Sequence, residues 1–370
     1  MTTSQGYDPR GFFEFDISFN GRTQLGCKCQ IQSTSRGRAS PARGLATAIE
    51  KARFMFRLAH LSDIHLGPLP ELSFRELASK RVTGYVNWHR NRRRVMFGDT
   101  LTNLLQDLKE EAPDHVAVTG DLVNLATKKE TAAARLWLED LGTPHDVSVV
   151  PGNHDAYVPG ALKRSYREWN AYMVGDNALS AIGSSFPYMR CRGPVAILGA
   201  SSAEATAPFF ATGTFKRHQA LALARLLERA KATGHFRVVM IHHPPISGAT
   251  AWHKRLIGKQ FFSKVMREVG AELVLHGHTH LDTLYWLDGP EGKIPVVGVP
   301  SASQAPGGEH PASRYNLFEI TGEPGNWSLI QRERGARDHE SGIGWVRERE
   351  LLSDGRTIDA RPREDAKVAV

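Results

Sequence analysis

From Met55 onward the chain alternates strand-like and helix-like segments, and a cluster of Asp, Asn or His follows one strand after another. Apolar, β-rich runs occur at 55–61, 115–119, 147–150, 195–198, 237–241, 273–275 and 294–299. Helical patterns lie between several of them, at 100–111, 128–141, 161–173, 215–232 and 261–269. Thr214 suits an N-cap for the fourth helix and Gly234 its stop. This alternation predicts an α/β fold whose strands are buried on both faces. Residues 315–320 and 327–331 flank a Gly/Pro-containing turn and predict an antiparallel hairpin.

The flanks read differently. Residues 1–54 are rich in Gly, Ser, Thr, Arg and Gln without a sustained period, and predict a poorly ordered or loosely docked extension. Residues 55–335 form the expected catalytic domain. From Arg332 the chain carries nine basic and nine acidic residues, so 336–370 is expected to be a charged surface tail or a short peripheral helix.

Composition narrows the classes. Hydrophobic residues make up 41% of the chain, which is ordinary for a globular protein. No apolar run reaches the length of a membrane span, and the first 20 residues lack the apolar core of a secretory signal. Three cysteines (Cys27, Cys29 and Cys191) fit a reducing compartment better than a disulfide framework. The expected location is cytoplasmic, with peripheral contact at the inner membrane as an option. The net charge of +8 is concentrated: residues 1–54 contribute +4, residues 68–99 contribute +4, and the remainder balances. A neutral body with two basic segments suggests local attraction of an anion rather than a broad nucleic-acid surface.

The chemistry sits where strands end. Strand-terminal segments read Asp63-Ile64-His65, Gly120-Asp121-Leu122-Val123-Asn124, Gly152-Asn153-His154-Asp155, His242-His243-Pro244 and Gly277-His278-Thr279-His280. In open α/β sheets, ligands gather at the carboxyl ends of strands. Carboxylate, imidazole and amide oxygen together suit borderline metals such as Mn, Fe or Zn, and the imidazoles argue against a Mg-only site. The set is too large for one tetrahedral ion, so two adjacent ions fit better. Taken singly, Asp63 and Asp121 also suit helix N-caps, and His278 and His280 suit loop positions. Those separate explanations would all have to hold at once.

D-x-H, G-D-x-x-N, G-N-H-D, a strand-terminal His before Pro, and G-H-x-H, in this order, resemble the calcineurin-like metallophosphoesterase superfamily over about residues 55–330, in its bacterial phosphodiesterase-type branch. The resemblance implies a four-layer α-β-β-α sandwich with two mixed sheets. It implies Asp63, His65 and His280 on one ion, Asn153, His242 and His278 on the second, and Asp121 bridging. His154 would stand beside the phosphate as a catalytic group, with Asp155 orienting it. The implied reaction is in-line attack on a phosphoester by a hydroxide shared between the ions. Asn124, where purple acid phosphatases carry Tyr, leans the expectation toward diesters.

Asn124, His243, Arg92 and Arg93 are candidate substrate contacts. The long insert 68–99 holds Lys80-Arg81 and an arginine cluster, with Val82, Tyr85, Val86 and His89 near helical spacing. It suits a solvated basic helix, a cap attracting a phosphorylated small molecule, or a contact with a phospholipid surface. Alternatives are a phosphomonoesterase or pyrophosphatase on a nucleotide or lipid-linked substrate, a DNA exonuclease, and a non-catalytic scaffold. The neutral body disfavours the exonuclease, and the intact ligand pattern disfavours the scaffold. Oligomeric state is not legible.

Overall fold

The computed structural model describes residues 55–77, 79–88, 99–176, 186–336 and 342–358. The extension 1–54 and the segment 89–98, with its arginine cluster, lie outside the described residues.

The elements run in the predicted order. Strand β1 (Met55–Leu61) is followed by two short insert helices, α1 (Phe74–Leu77) and α2 (Arg81–Asn87). Then come α3 (Thr100–Glu111), β2 (His115–Val118), α4 (Lys128–Leu141), β3 (Val147–Val149) and α5 (Ala161–Trp169). The second half has β4 (Tyr188–Arg192), β5 (Val195–Gly199), β6 (Gly213–Thr214), α6 (Arg217–Ala232) and β7 (Phe236–Met240). It continues with β8 (Leu256–Ile257), α7 (Lys259–Glu268), β9 (Leu273–His276), β10 (Thr283–Gly289) and β11 (Gly292–Gly298). Strands β12 (Arg314–Glu323), β13 (Asn326–Ala336), β14 (Ile343–Ser353) and β15 (Arg356–Thr357) close the described chain.

Two large mixed sheets result. The first has the order β15-β14-β13-β12-β1-β2-β3, and the second β10-β11-β9-β7-β5-β4. In the first, β1, β2 and β3 run parallel; in the second, β5, β7, β9 and β11 do. The side-chain period of two explains how the layers join. On β5, β7 and β9, Val195, Ile197, Phe236, Val238, Met240, Leu273 and Leu275 enter the core shared with β1–β3. Their neighbours Ala196, Leu198, Val239, Ile241 and Val274 face α6 and α7, packing with Leu223, Leu227, Phe262 and Met266. These strands are therefore apolar at nearly every position, as a two-faced strand must be. The predicted four-layer α/β architecture is the one observed.

Two local expectations are corrected. Thr214 lies in β6, where its hydroxyl donates to Glu204, and the N-cap position of α6 belongs to Lys216. Residues 343–357, expected as a tail or helix, are strands β14 and β15 at the edge of the first sheet. Charge alternation concealed them. Arg347 donates to Glu333, and Arg349 lies 3.2 Å from both Glu333 and Asp282. Glu333 is itself only 1% exposed, so the middle of β14 is held by ion pairs, while Leu351 and Leu352 at its end enter the core.

His115 on β2 gives the fold a pH dependence. It is fully buried, its Nε2 lies 2.8 Å from the Ser148 hydroxyl, and its Nδ1 has no partner. Burial, helped by Arg192 and Arg190, pushes it down to about 3. The unfolded chain takes up a proton below about pH 6.5 that the folded chain refuses. This contribution is complete above pH 6.5 and is lost as pH falls toward 3. Unfolding free energies from urea titrations between pH 6.5 and 4 should fall more steeply for wild type than for His115→Gln, by on the order of 1 kcal/mol per pH unit. Equal slopes would refute the assignment.

Candidate metal centre

Five loops at the carboxyl ends of parallel strands converge on one point. Asp63 and His65 follow β1, Asp121 follows β2, and Asn153 and His154 follow β3. From the second sheet, His242 follows β7, and His278 and His280 follow β9. Asp63, His65, Asp121, His278 and His280 all have φ between +43° and +69°. Left-handed backbone costs a non-glycine residue roughly 1–3 kcal/mol and persists only where surroundings impose it. Here the imposing contacts are visible. Asp63 and His65 donate their N–H groups to the carbonyls of Gly120 and Asp121, and the Ser301 hydroxyl donates to the carbonyl of Asp63.

Two glycines explain their motifs. A Cβ on Gly152 would stand 2.1 Å from Asp121 Oδ1, and one on Gly277 would stand 1.8 Å from the Ser62 hydroxyl. Each loop therefore approaches a carboxylate-bearing loop more closely than any side chain permits.

The predicted ligands come together. His280 Nε2 lies 3.1 Å from Asp63 Oδ1 and 3.3 Å from His65 Nε2. His242 Nε2 lies 3.4 Å from Asp121 Oδ2 and 3.2 Å from Asn153 Oδ1. His65 Nε2 is 3.8 Å from Asp63 and 4.0 Å from Asp121. The combinations Asp63–His65–His280, Asp63–Asp121–His242 and His242–His243–His278 each keep their donor atoms within 4.8 Å. Donors about 2.0–2.2 Å from a shared ion stand roughly 3.0–3.5 Å from each other, so the shorter separations have the spacing of a coordination shell. Asp63 Oδ1 is buried without a well-aligned donor, facing only the proposed ligand His280 at 3.1 Å, which leaves a lone pair for a cation. The donor set and this orphaned oxygen fit metal ions.

Electrostatics agrees. Burial opposes charge on Asp63 and Asp121, yet His280 and His242 hold Asp63 low, and His242 and His154 hold Asp121 low. His242, against its own burial, is pushed up to about 9 by Asp121 and Asp63. The carboxylates thus demand positive charge in their midst. His242 Nδ1 is 2.7 Å from the carbonyl of Thr119, which aims Nε2 at the centre. His278 Nε2 lies 2.9 Å from the carbonyl of Lys254, which leaves Nδ1 for the centre.

The other candidates are sorted by their partners. His243 is fully buried, with Nδ1 2.8 Å from the Ser202 hydroxyl and Nε2 3.1 Å from the carbonyl of Ala211. Both ring nitrogens are engaged with protein groups, on the side of the ring cluster formed with His242 and His278. Asn124, 1% exposed, donates its amide to the carbonyls of His65 and Leu66, a brace between loops. His154 is partly exposed and stands edge-on to His65 at 4.7 Å. Its Nδ1 lies 2.6 Å from the carbonyl of Asn124. The orienting group is thus Asn124 rather than Asp155. Asp155 spends both oxygens on the backbone N–H groups of Gly152, Asp121, Leu122 and Val123. Arg92 and Arg93 lie outside the described residues.

Sequence reasoning missed Ser301 and Tyr157. Tyr157 stacks on His154 at 5.4 Å and carries Lys80 Nζ 4.8 Å from its ring centroid. Nothing in local pattern marks either residue. The insert also packs differently from the expected stripe. Val82 and Val86 are exposed, while Arg81 and Trp88 are buried. Arg81 donates to the carbonyls of Leu125 and Ala126, which rotates α2 away from the predicted face.

Residues 56–282 match the family model for calcineurin-like phosphoesterases, and the chain belongs to that family. It is accordingly a metal-dependent phosphoester hydrolase, from a family that uses a dinuclear metal centre. Among solved structures, a dimetal phosphatase from Danio rerio is similar at a TM-score of 0.50 and 12% identity, covering 81% of this chain and 99% of that one. A purple acid phosphatase from yellow lupin (Lupinus luteus) is similar at a TM-score of 0.48 and 11% identity, covering 80% of this chain and 53% of that one. At these identities the likeness is one of fold. The comparison with curated proteins gives no match.

Proposed function

We propose that the chain hydrolyses a phosphodiester, with Asp63, His65 and His280 holding one metal ion, Asn153, His242 and His278 a second, and Asp121 bridging. Mn, Fe and Zn suit this donor set. Bound there, two ions would supply Lewis acidity toward the phosphate oxygens and an acidified water.

The observation that carries the reading is the ligand spacing, reached from two sheets. His154 is the group placed to act on substrate. With Nδ1 turned to the carbonyl of Asn124 and the ring held against Tyr157, the imidazolium form of His154 would donate from Nε2 to an oxygen of the phosphate or leaving group. Among the described residues, Lys80, Arg81 and Arg164 favour a singly charged phosphate. Lys80 donates to Thr206 and the carbonyl of Phe210, and Arg81 and Arg164 donate to backbone carbonyls, so none of these bonds is offered to a second phosphate charge. Asn124 in place of Tyr supports the same preference.

The test is a metal-reconstitution panel (Mn, Fe, Zn, Ni) assayed on bis(p-nitrophenyl) phosphate and p-nitrophenyl phosphate. The expected result is turnover only with metal and kcat/KM higher on the diester. A preference for the monoester with every metal would overturn the diester reading.

A further inference from the structure

Two loops beside the centre expose aromatic rings. In the loop between β5 and β6, Phe209 is 82% and Phe210 37% exposed; in the loop before β8, Trp252 is 64% exposed. Phe210 and Trp252 meet edge to face at 5.4 Å. Both loops are tied to the site: the carbonyl of Ala211 lies 3.1 Å from His243 Nε2, and that of Lys254 lies 2.9 Å from His278 Nε2. Phe210 is one residue from the first anchor and Trp252 two from the second, within about 4 and 7 Å along the chain. The loops are also joined to each other, Ala211 N–H donating to the carbonyl of His253 at 2.9 Å.

This exposure is imposed. Phe209 has φ +69°, a conformation rare for a bulky residue, held while its ring stays in solvent. Lys80, at the start of α2, fixes the loop, donating to Thr206 Oγ1 at 2.7 Å and to the carbonyl of Phe210 at 2.9 Å. A strained, anchored and exposed aromatic group next to a phosphoester site suits a ligand better than solvent.

We propose that Phe209, Phe210 and Trp252 form a stacking subsite for an aromatic ring carried by the substrate, such as a nucleobase, with Lys80 as the residue that pins it. This rests on the phosphoesterase reading above and specifies the organic part of the substrate. Aromatic faces accept any base by stacking, which gives affinity without reading its hydrogen-bonding edge. The position fits, because the loops that carry these rings are anchored on His278, a proposed ligand of the centre, and on His243, whose ring packs 4.3 Å from it.

The experiment uses the Mn-reconstituted full chain and two matched pairs of esters, followed by phosphorus NMR. The monoester pair is thymidine 5′-phosphate and glycerol 1-phosphate; the diester pair is the methyl ester of each. Within whichever pair is hydrolysed, kcat/KM should favour the base-bearing ester about tenfold. Trp252→Ala, Phe209→Ala and Lys80→Met should each bring that ratio toward one, while Phe74→Ala leaves it unchanged. A wild-type ratio near one, or a ratio untouched in Trp252→Ala and Phe209→Ala, overturns the subsite. A ratio near one together with Trp252-dependent sedimentation on phosphatidylglycerol vesicles would assign the patch to a membrane surface instead. Hydrolysis of monoesters alone with the base preference intact would overturn the diester reading and keep this one. No hydrolysis of any ester would overturn both.

Discussion

Asp121→Asn is expected to lower kcat/KM by on the order of 10³-fold or more, the effect of losing several kcal/mol of metal-based stabilisation of the transition state. Asp121 Oδ1 accepts the N–H of His154 at 2.7 Å, while Oδ2 faces His242 at 3.4 Å and His65 at 4.0 Å. An asparagine can keep the first contact through its carbonyl oxygen but presents no second anionic oxygen. The fold should therefore survive while metal is lost. Metal content by mass spectrometry, read beside an unchanged circular dichroism spectrum, separates loss of the site from loss of structure. An Asp121→Asn protein with full metal content and normal turnover would sink the bridging assignment.

Asp155→Ala should instead strike the fold. Its carboxylate is fully buried and receives four backbone N–H groups, from Gly152, Asp121, Leu122 and Val123. A buried donor left unpaired costs about 1–3 kcal/mol, so four of them imply a loss on the order of 5 kcal/mol, a large share of the usual total. The expected result is a strongly lowered urea midpoint in the metal-free protein as well as in the loaded one. Asp155→Asn, which keeps one acceptor oxygen, should fall between wild type and alanine. A wild-type midpoint for Asp155→Ala would show that these donors find water or other partners.

The two substitutions fall in neighbouring loops, after β2 and after β3, and the sequence distinguishes them poorly. The proposed metal ligands were legible because their chemistry is tied to position. Asp63, Asp121, Asn153, His242 and His278 each come directly after a strand, and strands declare themselves by runs of apolar residues. What supports those ligands was not legible, because it depends on which carbonyl lies opposite. Asn124 holds His154 through its main chain, which any residue could supply. His243 differs from its neighbour His242 only in facing Ser202 and Ala211. Strand β14 was missed for a related reason: its inward face carries the half-buried Arg347 and Arg349, paired with Glu333 and Asp282. Period and propensity report on a segment alone, whereas these features belong to pairs of segments.

The wide sequence separation of the ligands has a thermodynamic consequence. His65 and His280 stand 215 residues apart in the chain yet 3.3 Å apart in space, so the donor set exists only after both sheets have assembled. An ion that binds the assembled set and ignores the random coil acts as a mass-action weight on the folding equilibrium. At a hundred times its dissociation constant it adds about 2.7 kcal/mol to the unfolding free energy. The melting temperature should therefore rise with free metal concentration and drop on chelation, which makes calorimetry a titration of the centre that requires no knowledge of the substrate.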